Sequence, residues 1–198
     1  MTAPAQILSA EEFVARCAIN PRFLYPKDKR FSSLYLLDFR KPKGTSTHVT
    51  SVGWRKLLPS EDEVHAYGCR SAASSNANKA EPPVPLEGAA HYIGFYEMSV
   101  KDGLDEANDV YDVHVEQVIE NGEEAHCHIV LSERPDLTKE QQRLKSAKRT
   151  DILYGIWEKM TGPFRHVCEC DKDYSKELSA IVLPPPGTPD DHSLANES

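Results

Sequence analysis

From Val110 to Leu131 the chain reads VYDVHVEQVIENGEEAHCHIVL, two runs of alternating apolar and polar residues either side of a turn. Val110, Tyr111, Val113, Val115, Val118 and Ile119 supply the β-branched and aromatic side chains that suit a pleated surface. Ala125, Cys127, Ile129 and Leu131 then alternate with His126, His128 and Val130, the two-residue period of a half-buried strand. Asn121-Gly122 between the runs accepts the positive φ values of a type I′ turn. The pattern predicts a β-hairpin.

Which residues share a face of that hairpin depends on its loop. A two-residue Asn121-Gly122 loop sets Gln117 against His126 and Val115 against His128, leaving His114 and Glu116 on the opposite face. A three-residue loop or a bulge inverts the parity and gathers His114, Glu116, His126 and His128 together. Sequence admits both arrangements.

Elsewhere the periodicity switches between helix and strand. Ser9 with Glu12 forms a capping box ahead of Phe13, Val14 and Cys17, which predicts a helix over Ser9 to Ala18. Leu34 to Phe39, Val49 to Leu57 and His91 to Val100 read as strands. Ser60 with Glu63 opens a short helix that dissolves by Ala72 to Ala80, ahead of the exposed Pro82-Pro83-Val84-Pro85 loop. Thr138 with Gln141 caps a long helix reaching about Met160, its apolar stripe being Leu153, Ile156, Trp157 and Met160. A strand around His166 to Cys170 and a helix from Tyr174 to Val182 close the fold. These elements predict one α+β domain over residues 1–183, with a mostly antiparallel sheet flanked by helices and the hairpin central or nearly so. Trp54 and Trp157 are the expected core anchors. Pro184 to Ser198 is poor in apolar residues and is expected to be a disordered tail.

Composition narrows the setting. A length of 198 residues suits one domain with a sizeable core. The formal charge of −8 argues against general binding to a nucleic-acid backbone, which draws on excess Lys and Arg. Lys145, Lys148 and Arg149 nevertheless share a helix face and could meet phosphate or an acidic partner. Five cysteines at irregular spacing, the absence of a basic-then-apolar leader and the lack of a span of about 20 apolar residues predict a cytoplasmic, membrane-free protein with reduced thiols.

The chemistry on offer is histidine chemistry. His114, His126 and His128 are candidate acid–base residues, and His126, His128 and Glu116 are candidate ligands for zinc or iron, since imidazole and carboxylate suit both metals. Cys168 and Cys170 could add to such a site. Arg55, His65 and Arg70 are candidate substrate-binding groups, suited to an anionic ligand if the fold brings them over the hairpin.

Complete signatures are lacking. His126-Cys127-His128 with Glu133 follows the order of the first cupin motif, but Gly122 lies too near and no second motif follows. His48-Val49-Thr50 fits half of the two-histidine phosphoesterase pair, whose other half fails at His128-Ile129-Val130 for want of a hydroxyl. His114-Val115-Glu116 imitates zinc nucleoside deaminases, yet their Pro-Cys-x-x-Cys is missing. No Walker loop, dinucleotide fingerprint or nucleophile elbow is present. Two readings follow: an acidic interaction or accessory module with a protein partner, favoured by the missing motifs, and a small enzyme acting through the hairpin histidines on a phosphorylated or nucleotide-like substrate. They part on whether the histidines share a concave site with Arg55, His65 or Arg70.

Overall fold

Ser9 and Glu12 close the turn their spacing predicts, with the Glu12 carboxylate accepting from the Ser9 amide at 2.8 Å. No helix follows. The chain extends instead into β1, Phe13–Asn20, whose Val14, Ala15, Cys17 and Ala18 are all buried. With sheet partners on both edges and apolar packing on both faces, tertiary contacts overrule the local helical spacing. This corrects the expected helix over Ser9 to Ala18. The computed structural model describes residues 6–20, 24–25, 30–31, 37, 39–77, 89–119, 122–167, 169, 172 and 175–187.

After a small ladder of β2 (Leu24–Tyr25) and β3 (Arg30–Phe31) come β4 (Thr47–Trp54), α1 (Glu61–Ala77), β5 (His91–Ser99), α2 (Val100–Leu104), β6 (Tyr111–Gln117), β7 (His126–Glu133), α3 (Lys139–Lys159), β8 (Thr161–Arg165) and α4 (Ser175–Ser179). Six strands form one sheet in the order β6-β7-β4-β1-β5-β8, and every pairing is antiparallel. The α+β class and the antiparallel sheet are those the sequence predicts. The hairpin, however, lies at one end of the sheet and not at its centre. Its outer rim meets residues 6–8, where the Leu8 amide donates to Val115 at 2.9 Å and the Gln117 amide to Gln6 at 2.8 Å.

A helix covers each face. On one side Ile152, Ile156 and Trp157 of α3 pack on Val14, Val52, Trp54, Val113, Val115, Ile129 and Leu131. On the other, Val64 and Tyr67 of α1 pack on Ala15, Cys17, Tyr92 and Phe95. Trp54 and Trp157 are both core residues, as expected. Fully burying a side chain of this size stabilises the fold by roughly 1.5–3 kcal/mol.

Helix α1 runs 17 residues, past the predicted end at Ala72, because Asn76 ties its last turn to the entry of β5. The Asn76 amide nitrogen donates to the Ala90 carbonyl at 2.9 Å and its oxygen accepts from the Ala90 amide at 2.7 Å. The capping box at Thr138 and Gln141 forms as predicted. The strand after α3 falls at Thr161–Arg165, and the described residues His166, Val167 and Glu169 of the expected strand lie outside it; β8 holds Phe164 stacked on Phe95 at 4.7 Å.

Pro184, the first residue of the expected tail, lies against the core. Pro184 is buried while Pro185 is exposed, and the Tyr96 hydroxyl donates to the Pro184 carbonyl at 2.8 Å. Residues 188–198, the Pro82–Pro85 loop, Cys168, Cys170 and most of the predicted strand from Leu34 lie outside the described residues. Among those described, no helix is long and apolar enough to cross a membrane.

Candidate functional site

The hairpin register places Gln117 opposite Cys127, Glu116 opposite His128, Val115 opposite Ile129 and His114 opposite Val130. A bond from the Val118 amide to the His126 carbonyl at 2.9 Å extends the same ladder. A two-residue loop would pair Gln117 with His126, so the observed ladder is displaced by one residue. The connection is correspondingly longer, with Gly122 in the left-handed region at φ 79°. Glu120 and Asn121 lie outside the described residues. The inverted parity has a direct result: His114, Glu116, His126 and His128 leave the sheet on one face, while Val113, Val115, Cys127, Ile129 and Leu131 enter the core.

That face is left partly open because α1 lies over β5 and β1, further along the sheet. All four polar side chains are half-buried. The Nε2 atoms of His126 and His128 stand 3.1 Å apart, with the rings crossed at 76°. At that separation one ring donates and the other accepts, so the pair shares one proton between two nitrogens. His114 Nε2 lies 3.8 Å from Glu116 Oε2, and Ser51 of β4 faces His128 from the other side.

Tyr67 of α1 anchors the pair. Its hydroxyl donates to the Val52 carbonyl at 3.3 Å and lies 3.3 Å from His126 Nδ1. The tautomer of His126 sets which of Tyr67 and His128 donates to it and which accepts. Burial pushes the Tyr67 phenol well above its usual value, so this hydroxyl keeps its proton. Gly53 permits the approach. A Cβ there would stand 2.9 Å from Leu58 Cδ1 and 3.0 Å from the Tyr67 ring. Tyr67 is a residue that sequence reasoning missed. Its spacing from Val64 marks a buried helix face, but only the packed structure shows that the face reaches β7.

The other candidates separate. Arg70 reaches the hairpin tip, donating to Glu123 Oε2 from Nε at 2.9 Å with its Nη2 at 2.9 Å from the same oxygen. Arg55 does not join it. Its Nε pairs with Glu97 at 2.8 Å and its Nη1 donates to the Leu58 and Ser60 carbonyls. His65 faces β5, with Nδ1 2.8 Å from the Tyr92 hydroxyl and its ring stacked on His166 at 4.2 Å. Burial, and then the neighbouring His166, hold the His65 imidazole below its ordinary value. Of the three candidate substrate-binding groups, Arg70 alone lies beside the hairpin.

Cys127 sits between the two histidines in sequence but points into the core, where burial pushes its thiol up to about 12. It is no nucleophile or ready ligand. Among the described residues, no three of His, Cys, Asp and Glu gather closely enough to hold a metal ion. His126 and His128 supply two converging nitrogens, while Glu116 lies alongside His114.

The basic face of α3 is also divided. Lys145 pairs with Glu133 at 2.6 Å and Lys148 with Asp109 at 3.2 Å. No family model, curated protein or solved structure matches this chain. The arrangement of the residues therefore carries the functional argument alone.

Proposed function

We propose that the open face of the β6–β7 hairpin is a small-molecule site at which His126 and His128 act as a paired acid–base group on a phosphorylated or nucleotide-like substrate. One observation carries this reading: the displaced register gathers His114, Glu116, His126 and His128 on one face. Their crossed rings share a proton that can be given or taken up by exchanging tautomers. Tyr67 positions the pair, and the half-exposed Arg70 at the hairpin tip would exchange its Glu123 partner for an anionic group of the substrate. The free thiols of Cys17, Cys69 and Cys127 suit a reducing compartment, and we place the activity in the cytosol on that ground.

The test is a screen of phosphomonoesters, phosphodiesters and nucleotides followed by phosphorus NMR, comparing the wild-type protein with His128→Gln. Turnover of at least one compound is expected, falling at least about 100-fold in the variant while its melting temperature is retained. No turnover across the panel, or equal turnover by both proteins, overturns the reading.

A second reading, a non-catalytic module that docks a protein partner, draws on a different place. Phe13 is 46 % exposed beside an open groove of about 540 Å³ lined by Glu11, Glu12, Arg55, Lys56, Pro59 and Glu97. Under this reading Phe13→Glu abolishes association with a defined partner while His128→Gln does not.

A further inference from the structure

His48 and Thr50 of β4 face the core side of the sheet, opposite the open histidine face. They are 5 % and 2 % exposed, yet neither His48 Nδ1 nor Thr50 Oγ1 has a hydrogen-bond partner among the described residues. Buried polar atoms without partners destabilise a fold, so two of them on one strand mark a position kept for another reason. Residues two apart on a strand are same-face neighbours roughly 6.6 Å apart at Cα, close enough to address one small group.

The surroundings are cationic. Tyr111 meets His48 edge-on at 5.9 Å between ring centroids, and Glu133 lies directly across the ladder from Tyr111. Two ammonium groups converge on Glu133: Lys145 Nζ at 2.6 Å and Lys41 Nζ at 3.6 Å. Arg149 follows Lys145 by one turn of α3 and precedes the buried Ile152 by three residues, so it stands on the sheet-facing side. Among the described residues Arg149 has no ion-pair partner, whereas Lys148 beside it pairs with Asp109. Burial first, and then the charges of Arg149 and Lys41, hold the His48 imidazole below its ordinary value, partly offset by Glu133. Among the described residues, three cations against one carboxylate leave two uncompensated positive charges at this corner.

We propose that this corner of the sheet is a phosphate-binding site, with Arg149, Lys145 and Lys41 at its mouth and His48 Nδ1–H and Thr50 Oγ1–H as the buried donors beneath. The chemistry matches: an oxyanion carrying about two charges uses the excess cations, and its several acceptor lone pairs serve both orphaned donors. Free phosphate and a phosphate monoester share this chemistry. The site is independent of the hairpin histidines, which lie on the other face.

Calorimetric titration with inorganic phosphate and, separately, glycerol phosphate tests the assignment. Saturable binding of one equivalent is expected with a Kd of about 1 mM or tighter, and the tighter ligand names the source. Arg149→Gln and Thr50→Val should each weaken it at least about fivefold, while Lys148→Gln leaves it unchanged. In the ligand-free protein, Thr50→Val keeps the volume, removes the orphaned hydroxyl and should raise the melting temperature. Three results overturn the proposal. They are no saturation below about 10 mM, variants that bind like wild type, and a lower melting temperature for Thr50→Val, which would give the hydroxyl a structural partner.

Discussion

Glu116 lies directly across the β6–β7 ladder from His128, and both side chains leave the sheet on the same face. A hairpin with a two-residue loop would put them on opposite faces, so their energetic coupling reports the register. A double-mutant cycle with Glu116→Gln and His128→Gln should return about 0.2–1 kcal/mol of favourable interaction. The cycle is measured by urea unfolding at pH 6 and at pH 8. A cycle pairing Gln117→Ala with His128→Gln is the control. Zero coupling between Glu116 and His128 at both pH values would refute the observed register.

Acid should weaken the fold through two buried histidines. Burial, together with nearby cations at His48 and with His166 at His65, lowers both imidazoles from the ordinary value of 6.5. Below about pH 6.5 the unfolded chain takes up protons that these sites resist, so stability rises with pH across that window and is lost as pH falls. Each residue contributes at most about 1.4 kcal/mol per pH unit. Urea unfolding in phosphate-free buffer at pH 7.5, 6.5 and 5.5 measures the slope, which His48→Gln should reduce. An unchanged slope in that variant would remove His48 from the account. The carboxylates of Asp109 and Glu133, held low mainly by hydrogen bonds from Lys148 and Lys145, act only at more acid pH.

Gly68 sets two ordinary rules against each other. Alanine is the better helix former by about 1 kcal/mol, but a Cβ at Gly68 would stand 2.2 Å from Tyr92 Cε2. Tyr92 cannot easily yield, being fully buried and bonded to His65. Overpacking of this kind costs about 1–3 kcal/mol, which exceeds the propensity gain, so Gly68→Ala should lower stability by up to about 2 kcal/mol. A gain in unfolding free energy would mean that α1 can lift from β5.

The Tyr96 hydroxyl holds the chain at Pro184 by its 2.8 Å bond. Tyr96→Phe leaves a buried carbonyl without this donor and should cost about 1–3 kcal/mol. Limited proteolysis is the more specific readout, with cleavage near residues 181–187 appearing sooner than in the wild-type protein. Equal cleavage rates would show that the buried Leu183 and Pro184 side chains alone hold the segment.

Much of the fold is legible locally. Thr138 with Gln141, the alternation over Val110 to Leu131, and His91 to Val100 each announce an element from neighbouring residues, because caps and side-chain periods act within a turn or a strand. The same local signal misleads at Ser9, where a genuine capping turn precedes a strand that two sheet neighbours impose. It stops short at Ala72, since the bond from Asn76 to Ala90 spans 14 residues. The candidate site divides in the same way: His114, Glu116, His126 and His128 are visible as residue types, while Tyr67, His166 and the grouping around His48 are not.

What the sequence determined by itself was the inventory: an acidic chain of alternating strands and capped helices, with histidines concentrated in one hairpin. Tertiary structure alone decided which of those side chains meet. A displacement of one residue in the β6–β7 ladder reverses every face, and that displacement follows from how the loop, the strand β4 beside it and the apolar core are satisfied together. Burial works likewise. His48 and Thr50 are ordinary strand residues until α3 and the sheet close over them and remove the water that would have paired their polar atoms.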